Sequence, residues 1–224
     1  MEAQTLVGDD ITVQSRPRVL LLVGGLHTRQ PGATDTLTAV LTTGGFLDVH
    51  VTDDQVLLTP ERLAEVDVLV NYYTGPGLTE AQLGALLDFV AGGKGLVGIH
   101  NAADSFKNHP AYIAVLGSRF RGHPPFGTVQ VEIVDHEHPI TQGLDSFLVP
   151  DELYLLDHWP EGVQLLARAS KDGQVQPSTY VKHFGSGRIF YCALGHDRRS
   201  HEHPVVGRLY RRGIQWAAGV AVTA

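Results

Sequence analysis

The first half of the chain alternates short apolar segments with segments of helical pattern. Residues 19–25 are almost continuously apolar, which is typical of a parallel strand covered on both faces. Thr79 and Gln82 have the spacing of a capping box at the start of a helix. In chain order the pattern predicts strand 19–25, helix 34–43, strand 46–54, a short helix from residue 60, strand 66–74, helix 79–90 and strand 95–100. This β-α-β-α-β-α-β order predicts a parallel sheet with right-handed crossovers.

The second half has a different pattern, in which apolar and polar positions alternate with period two. Such alternation is typical of half-buried strands. The pattern predicts helix 110–116, strands 128–135, 151–159, 163–170, 178–184 and 187–196, and a final amphipathic helix at 204–218. With no repeat and no linker, we expect one domain over residues 18–224, preceded by a polar extension at residues 1–17 that is either disordered or packed on a neighbour.

Composition excludes several classes of partner. The net charge of −7 and the scattered Lys and Arg residues give no basic face, so we expect no nucleic-acid binding. The longest apolar runs have the length of a strand and not of a bilayer span, so we expect no membrane association. The single cysteine excludes an internal disulfide and fits a reducing compartment, which makes the cytoplasm the expected location. A homodimer is expected from the general frequency of such assemblies.

Polar and glycine-rich segments follow four of the predicted strands. Ligands of open α/β sheets bind outside the carboxyl ends of the parallel strands. The segments that fall at these ends are residues 24–27, 73–77, 100–101 and 195–197. Their agreement predicts a ligand site at this edge of the sheet.

Two histidines at these strand ends are candidates for chemistry. His100 follows the fourth strand, where an imidazole can act as a general base or a metal ligand, or simply bond backbone groups in a turn. His196 and Asp197 suit an acid/base pair, although a strand-end turn explains them equally well. Asp151 and Glu152 start a predicted strand and could orient a histidine, bind a metal or lie in a solvated turn.

The chain has twelve histidines, and several have short spacings that suit Zn²⁺. His123 lies in a polar, glycine-containing segment and is a candidate ligand. The other two clusters precede prolines, and we expect them to lie in surface loops; they are His136 with His138 and His201 with His203.

Nucleophilic and nucleotide chemistry lack support in the sequence. There is no G-x-S-x-G motif, no Walker A motif and no G-x-G-x-x-G after the first strand. Cys192 lies inside a β pattern, where it is expected to be a small buried apolar residue.

Several ordered motifs resemble the ThuA-like, or trehalose-utilisation, family. They are "GKGLVGIHNAADSF", "LGSRFRGHPPFGTVQVEIVDHEHPIT", "DELYLL" and "GSGRIFYCALGHD" with "RRGIQWAAG", and the resemblance runs from about residue 19 to 219. It implies an α/β fold of the flavodoxin-like or class I glutamine amidotransferase-like type, a three-layer sandwich whose mostly parallel sheet has an antiparallel extension. His100 then stands where amidotransferases have their cysteine nucleophile, and His196 where they have a histidine. Without a thiolate, glutamine hydrolysis through a thioester is excluded.

The resemblance implies a sugar-processing enzyme that acts on a trehalose-type disaccharide or its 3-keto derivative. Isomerisation, elimination or hydration would use His100 and His196 as acid and base, with charge from Glu152 and Asp197. Alternatively, a divalent ion such as Zn²⁺ would be held by His100, His123 and His196. The residues expected to contact the carbohydrate are Tyr73, Gly75, Asn101, Asp104 and His123. The competing hypothesis is a non-catalytic sugar-binding or regulatory module on the same scaffold.

Overall fold

The computed structural model describes residues 16–25, 31–75 and 77–224. Most of the predicted N-terminal extension, residues 1–15, therefore lies outside the described residues. The same holds for residues 26–30 and for Pro76, so the predicted strand-end segments 24–27 and 73–77 are described only in part.

Nine strands form one mixed sheet at the centre of the fold. Five of them are parallel, in the spatial order β2 (Asp48–Thr52), β1 (Arg18–Gly25), β3 (Val68–Thr74), β4 (Gly95–Ile99) and β11 (Gly187–Cys192). The sheet continues beyond β11 with four antiparallel strands, in the order β10 (Gln174–Phe184), β9 (Gln164–Lys171), β6 (Gly127–Ile133) and β7 (Phe147–Asp151). We call the first five strands the parallel half and the last four the extension. A separate ribbon pairs β5 (Phe120–Gly122) with β8 (Leu155–Leu156).

Helices cover the sheet on both sides. They are α1 (Ala33–Thr42), α2 (Pro60–Ala64), α3 (Glu80–Ala91), α4 (Pro110–Leu116), α5 (Arg198–His201) and α6 (Pro204–Ala217). Alternate residues of β1 enter two separate apolar cores: Leu21 packs with Leu37 of α1 and Ile214 of α6, while Leu20 packs with residues of α2 and α3. The predicted three-layer α/β fold with an antiparallel extension is confirmed.

Local signals explain most of the helix starts. The capping box predicted at Thr79 and Gln82 is present in α3. Proline occupies the first turn of α2, α4 and α6, where its missing N–H costs no intrahelical hydrogen bond.

The strand predicted at 151–159 is wrong in position. Asp151 ends β7 instead of starting a strand, and Glu152 follows it in a connecting segment. Pro150 lies inside β7, which is the edge strand of the sheet, where a residue without an N–H is tolerated. The four-residue helix α5 was not predicted, because it is too short to show a helical period.

In the part of the chain that the structure describes, none of the helices is long and apolar enough to cross a membrane.

Candidate functional site

His100 lies at a sharp change of backbone direction at the end of β4. Its φ of 44° lies in the left-handed region, which residues other than glycine rarely adopt. His100 is also the first residue of a 3₁₀ turn. Gly98, two residues earlier, lets the side chain of Leu116 pack closely on β4, since a Cβ at Gly98 would lie 2.7 Å from Leu116 Cδ1. His100 Nδ1 lies 2.7 Å from the carbonyl oxygen of Ala193. Because a carbonyl can only accept, Nδ1 carries the proton and Nε2 points toward the carboxylate of Glu152.

His196 approaches the same carboxylate from the neighbouring strand β11. It follows Gly195, whose φ of 130° turns the chain sharply. His196 Nδ1 lies 3.1 Å from Glu152 Oε2, and this interaction raises the pKa of His196 above its ordinary value, against the opposing effect of burial. The imidazole rings of His100 and His196 lie edge to face, with 5.7 Å between their centroids.

Glu152 is the group around which the site is built. Its carboxylate is about nine-tenths buried, at 9% side-chain exposure. Burial alone would raise the pKa of Glu152, but the imidazoles of His100 and His196 outweigh it and hold that pKa well below its usual range. The extension supplies this residue directly after its edge strand, so the two halves of the sheet meet at one carboxylate.

His123 contacts the other oxygen of Glu152. It lies in the segment between β5 and β6, with Nε2 3.3 Å from Glu152 Oε1 and a half-exposed ring. Its Nδ1 donates to the carbonyl of Pro124 at 2.9 Å, so Nε2 is the nitrogen that faces the site.

These groups line one cavity of about 280 Å³. Aromatic rings form part of its wall: the Tyr154 ring centroid lies 3.9 Å from that of His100 and 4.3 Å from that of Phe120. The described residues that line the cavity are Tyr72, Thr74, His100, Asn101, Asp104, Phe120, His123, Glu152, Tyr154 and His196.

Six of the predicted site residues meet in this cavity. They are His100, Asn101, Asp104, His123, Glu152 and His196. Asn101 donates from Nδ2 to Thr74 Oγ1 at 2.9 Å, and its amide oxygen is buried with no hydrogen-bond partner among the described residues. Asp104 forms an ion pair with Lys107.

Three other predicted site residues lie outside the lining. Tyr73 is buried in the core, where its ring stacks on Phe106 at 5.8 Å. Gly75 packs against the ring of Tyr73, which leaves no room for a Cβ. Asp197 caps α5 by accepting the backbone N–H of Arg199 at 2.8 Å, and its carboxylate forms an ion pair with the same arginine.

Four lining residues were not among the predicted site residues, although Thr74 lies in the predicted strand-end segment 73–77; they are Tyr72, Thr74, Phe120 and Tyr154. Tyr72 and Thr74 flank Tyr73 on β3, so strand alternation at this end of the sheet was the signal that could have found them.

Two histidines expected in surface loops are buried instead. His201 is fully buried between Tyr72 and Tyr210, and His138 is 8% exposed and packs near Trp216. The short spacing before a proline carried no information about burial, because the chain around His201 forms α5 beneath the site.

Three of these residues have the arrangement of a metal site. One donor atom each from His100, Glu152 and His196 lie within 4.8 Å of one another. Donors bound to one ion at about 2.1 Å in a tetrahedral arrangement lie roughly 3.4 Å apart. Glu152 Oε2 is 3.6 Å and 3.1 Å from the two imidazole nitrogens, which is close to that spacing. The His100 N–H bonded to a backbone carbonyl is a typical outer contact of a metal-bound histidine. The set of two histidines and one carboxylate therefore fits a divalent ion such as Zn²⁺.

The sheet order defines an amidotransferase-like α/β fold, and structural comparison agrees. A protein described as ThuA-like from Parabacteroides merdae superposes with a TM-score of 0.80 at 20% identity, covering 94% of this chain and 93% of the other. A second one, from Bacteroides uniformis, gives 0.75 at 23% identity, with 94% and 95% covered. A protein described as a GMP synthase component from Thermoplasma acidophilum gives 0.59 at 18% identity, with 92% and 96% covered.

The family model for ThuA, described as trehalose utilisation, matches residues 18–217. The chain therefore belongs to the ThuA family, as its motifs predicted. No curated protein matches it in sequence.

Proposed function

We propose that this chain is a sugar-processing enzyme that acts on a trehalose-type disaccharide or its 3-keto derivative at the cavity around Glu152. The observation that carries the proposal is the convergence of two imidazoles on one buried carboxylate in a cavity with aromatic walls. Membership of a trehalose-utilisation family supports a carbohydrate as the ligand. The cavity of about 280 Å³ is at the small end of ligand sites, so it suits one sugar ring at a time.

In this proposal, His100, Glu152 and His196 hold a divalent ion such as Zn²⁺. When bound there, the ion would act as a Lewis acid toward a carbonyl or hydroxyl oxygen of the sugar. The groups that would bind it are the carboxylate of Glu152, Nε2 of His100, whose Nδ1 donates to Ala193 O, and Nδ1 of His196.

With His100 and His196 holding the ion, His123 is the imidazole of the cavity that can transfer a proton. Its Nδ1 is occupied by the Pro124 carbonyl, so the Nε2 lone pair can accept a proton from a carbon next to a sugar carbonyl. The electron pair of that C–H bond moves toward the carbonyl oxygen, and the proton is returned at another atom for isomerisation or accompanies loss of a leaving group for elimination. Asn101 and Asp104 lie on the same cavity wall and would bind sugar hydroxyls.

The competing function is a non-catalytic sugar-binding module. One observation favours it: the strand-end position that carries a nucleophile in amidotransferases is His100 here, and Cys192 is buried inside β11, where burial raises the pKa of its thiol to about 12. That thiol cannot supply a thiolate for thioester chemistry. A cytoplasmic location and a homodimer both stay predictions.

Metal content and melting temperature separate the two functions. The purified protein is analysed for bound metal, and its melting temperature is measured with Zn²⁺, with trehalose-type disaccharides and with their 3-keto derivatives. Stoichiometric metal together with turnover supports the enzyme. Stabilisation by sugar, without metal and without turnover, supports the module instead.

Substitution of the two histidines tests the assignment of roles. His100→Ala and His196→Ala are expected to lower turnover of 3-keto sugars by at least about 100-fold, because each removes a ligand or an acid/base group. His50→Ala is the control, since His50 is an exposed histidine on β2. Undiminished turnover in both site variants would rule out the assigned roles.

A further inference from the structure

Side-chain hydrogen bonds fix every residue of the turn that carries His196. Three carbonyls of this turn accept from side chains: Ala193 O from His100 Nδ1 at 2.7 Å, Leu194 O from the Tyr210 hydroxyl at 3.0 Å, and Gly195 O from the Tyr72 hydroxyl at 3.0 Å. The N–H groups of Gly195 and His196 both donate to Asp151. The position of the His196 backbone is therefore set by groups outside the turn.

Among these hydrogen bonds, the two to Asp151 join the extension to the parallel half. The side chain of Asp151 is fully buried. Oδ1 accepts the N–H of Glu152 at 2.7 Å and that of His196 at 3.2 Å. Oδ2 accepts the N–H of Gly195 at 2.8 Å and the hydroxyl of Ser200.

These four donors use the whole hydrogen-bonding capacity of the carboxylate. An ionised carboxylate has about four lone-pair sites, and each oxygen of Asp151 receives two donors. Asp151 does not line the cavity, and within the described ranges it forms no ion pair with a lysine or arginine. The carboxylate is thus fully used in holding backbone, and no site is left on it for a ligand.

We propose that Asp151 is the positioning residue of the site, which holds Glu152 and His196 at the separation needed to bind one ligand together. It bonds the backbone N–H of both residues through the same oxygen. It thereby fixes the 3.1 Å approach of His196 Nδ1 to Glu152 Oε2. This inference rests on the proposed function, in which those two side chains act on the same ion.

Asp151→Asn breaks this arrangement while keeping the shape of the side chain. An amide presents one oxygen and one NH₂ group, so two of the four donors would face another donor. We expect the affinity for Zn²⁺ or Co²⁺, measured by competition with a chelator, to fall about 10- to 100-fold, as is typical when an outer contact of a metal ligand is removed. The visible absorption spectrum of the Co²⁺ form is expected to change, because the donor geometry changes.

Tyr180→Phe is the matched control for general destabilisation. Tyr180 is fully buried and its hydroxyl donates to Leu116 O at 3.0 Å, away from the cavity. This variant is expected to lower the melting temperature of the metal-free protein without changing metal affinity. Equal losses of affinity in the two variants would overturn the positioning role.

Amide hydrogen exchange in the metal-free protein decides the inference even if the wild type binds neither ion. Asp151→Asn is expected to speed exchange at whichever of the Gly195 and His196 amides faces the new NH₂ group, whereas Tyr180→Phe is expected to speed neither. A wild type without metal affinity but with this exchange pattern would refute the proposed metal site and retain the positioning role. Unchanged exchange at both amides would overturn the positioning role itself. If Asp151→Asn does not fold, Ser200→Ala removes one donor to the same carboxylate, and the same readouts are expected to change less.

Discussion

The parallel half and the extension contribute to the site in different ways. The parallel half supplies His100 and His196 after two adjacent strands; His100 donates from Nδ1 to the carbonyl of Ala193, and the N–H of His196 donates to Asp151 of the extension. The extension supplies Glu152 and His123 from connecting segments next to its strands. The parallel half thus supplies two of the three imidazoles, and the extension supplies the third together with the carboxylate that all three face.

Replacing the carboxylate of the extension is expected to have the largest effect. Glu152→Gln keeps the size of the side chain but removes the charge that both imidazoles face. We expect metal affinity and sugar turnover each to fall by at least about 100-fold. The measurements are chelator competition and steady-state kinetics.

Glu132→Gln is the matched control on the same part of the sheet. Glu132 is an exposed carboxylate of β6 that pairs with Arg168 at 2.9 Å. Its removal is expected to leave turnover unchanged and the urea midpoint nearly unchanged, because exposed ion pairs contribute little to stability. Full activity in Glu152→Gln would show that the extension contributes shape and not charge.

The same contrast explains what the sequence could predict. The carboxyl ends of parallel strands lie at one edge of a sheet, so the pattern could place His100 and His196 at that edge; that their strands are adjacent came from the structure. Nothing in the pattern states that Glu152, about 50 residues from His100 along the chain, follows an edge strand that folds over the same cavity. The two adjacent carboxylates at the start of a predicted strand made Glu152 a candidate, and the structure supplied its contacts with the histidines.

The exclusion of Tyr73, Gly75 and Asp197 from the lining has a different cause. The sequence placed them correctly near strand ends, but not the direction of each side chain. Tyr73 points away from the cavity because its neighbours Tyr72 and Thr74 point toward it. The carboxylate of Asp197 is used to cap α5, a helix too short to be predicted.

His201, a buried histidine next to Tyr72, makes the stability of the parallel half depend on pH. Burial, with a smaller contribution from the nearby His100, lowers the pKa of His201 to about 3. An unfolded chain protonates its histidines below about pH 6.5, whereas folded His201 stays neutral. Stability is therefore lost as pH falls from about 6.5 toward 3, and the loss through His201 is about 2 kcal/mol at pH 5.

His201→Gln is expected to reduce this acid sensitivity. The free energy of unfolding, measured by urea denaturation at pH 7, 6 and 5, should fall about 2 kcal/mol less in the variant than in the wild type. His50→Gln, at an exposed position on β2, is expected to keep the wild-type profile. An unchanged pH slope in His201→Gln would mean that this histidine does not titrate on unfolding.

The smallest expected effect concerns the backbone conformation of His100, directly after β4. In the extension, the one non-glycine residue at positive φ among the described residues is Asp172, in a hairpin turn that suits it. In the parallel half, His100 has a φ of 44°, where a Cβ costs about 1–2 kcal/mol. His100→Ala and His100→Gly both lose the imidazole, but only the glycine relieves this strain. We expect the glycine variant to be more stable by about 1 kcal/mol in urea denaturation. Ala102→Gly in the same turn, where φ is negative, is expected to destabilise. A glycine variant less stable than the alanine variant would show that the turn after β4 holds His100 without strain.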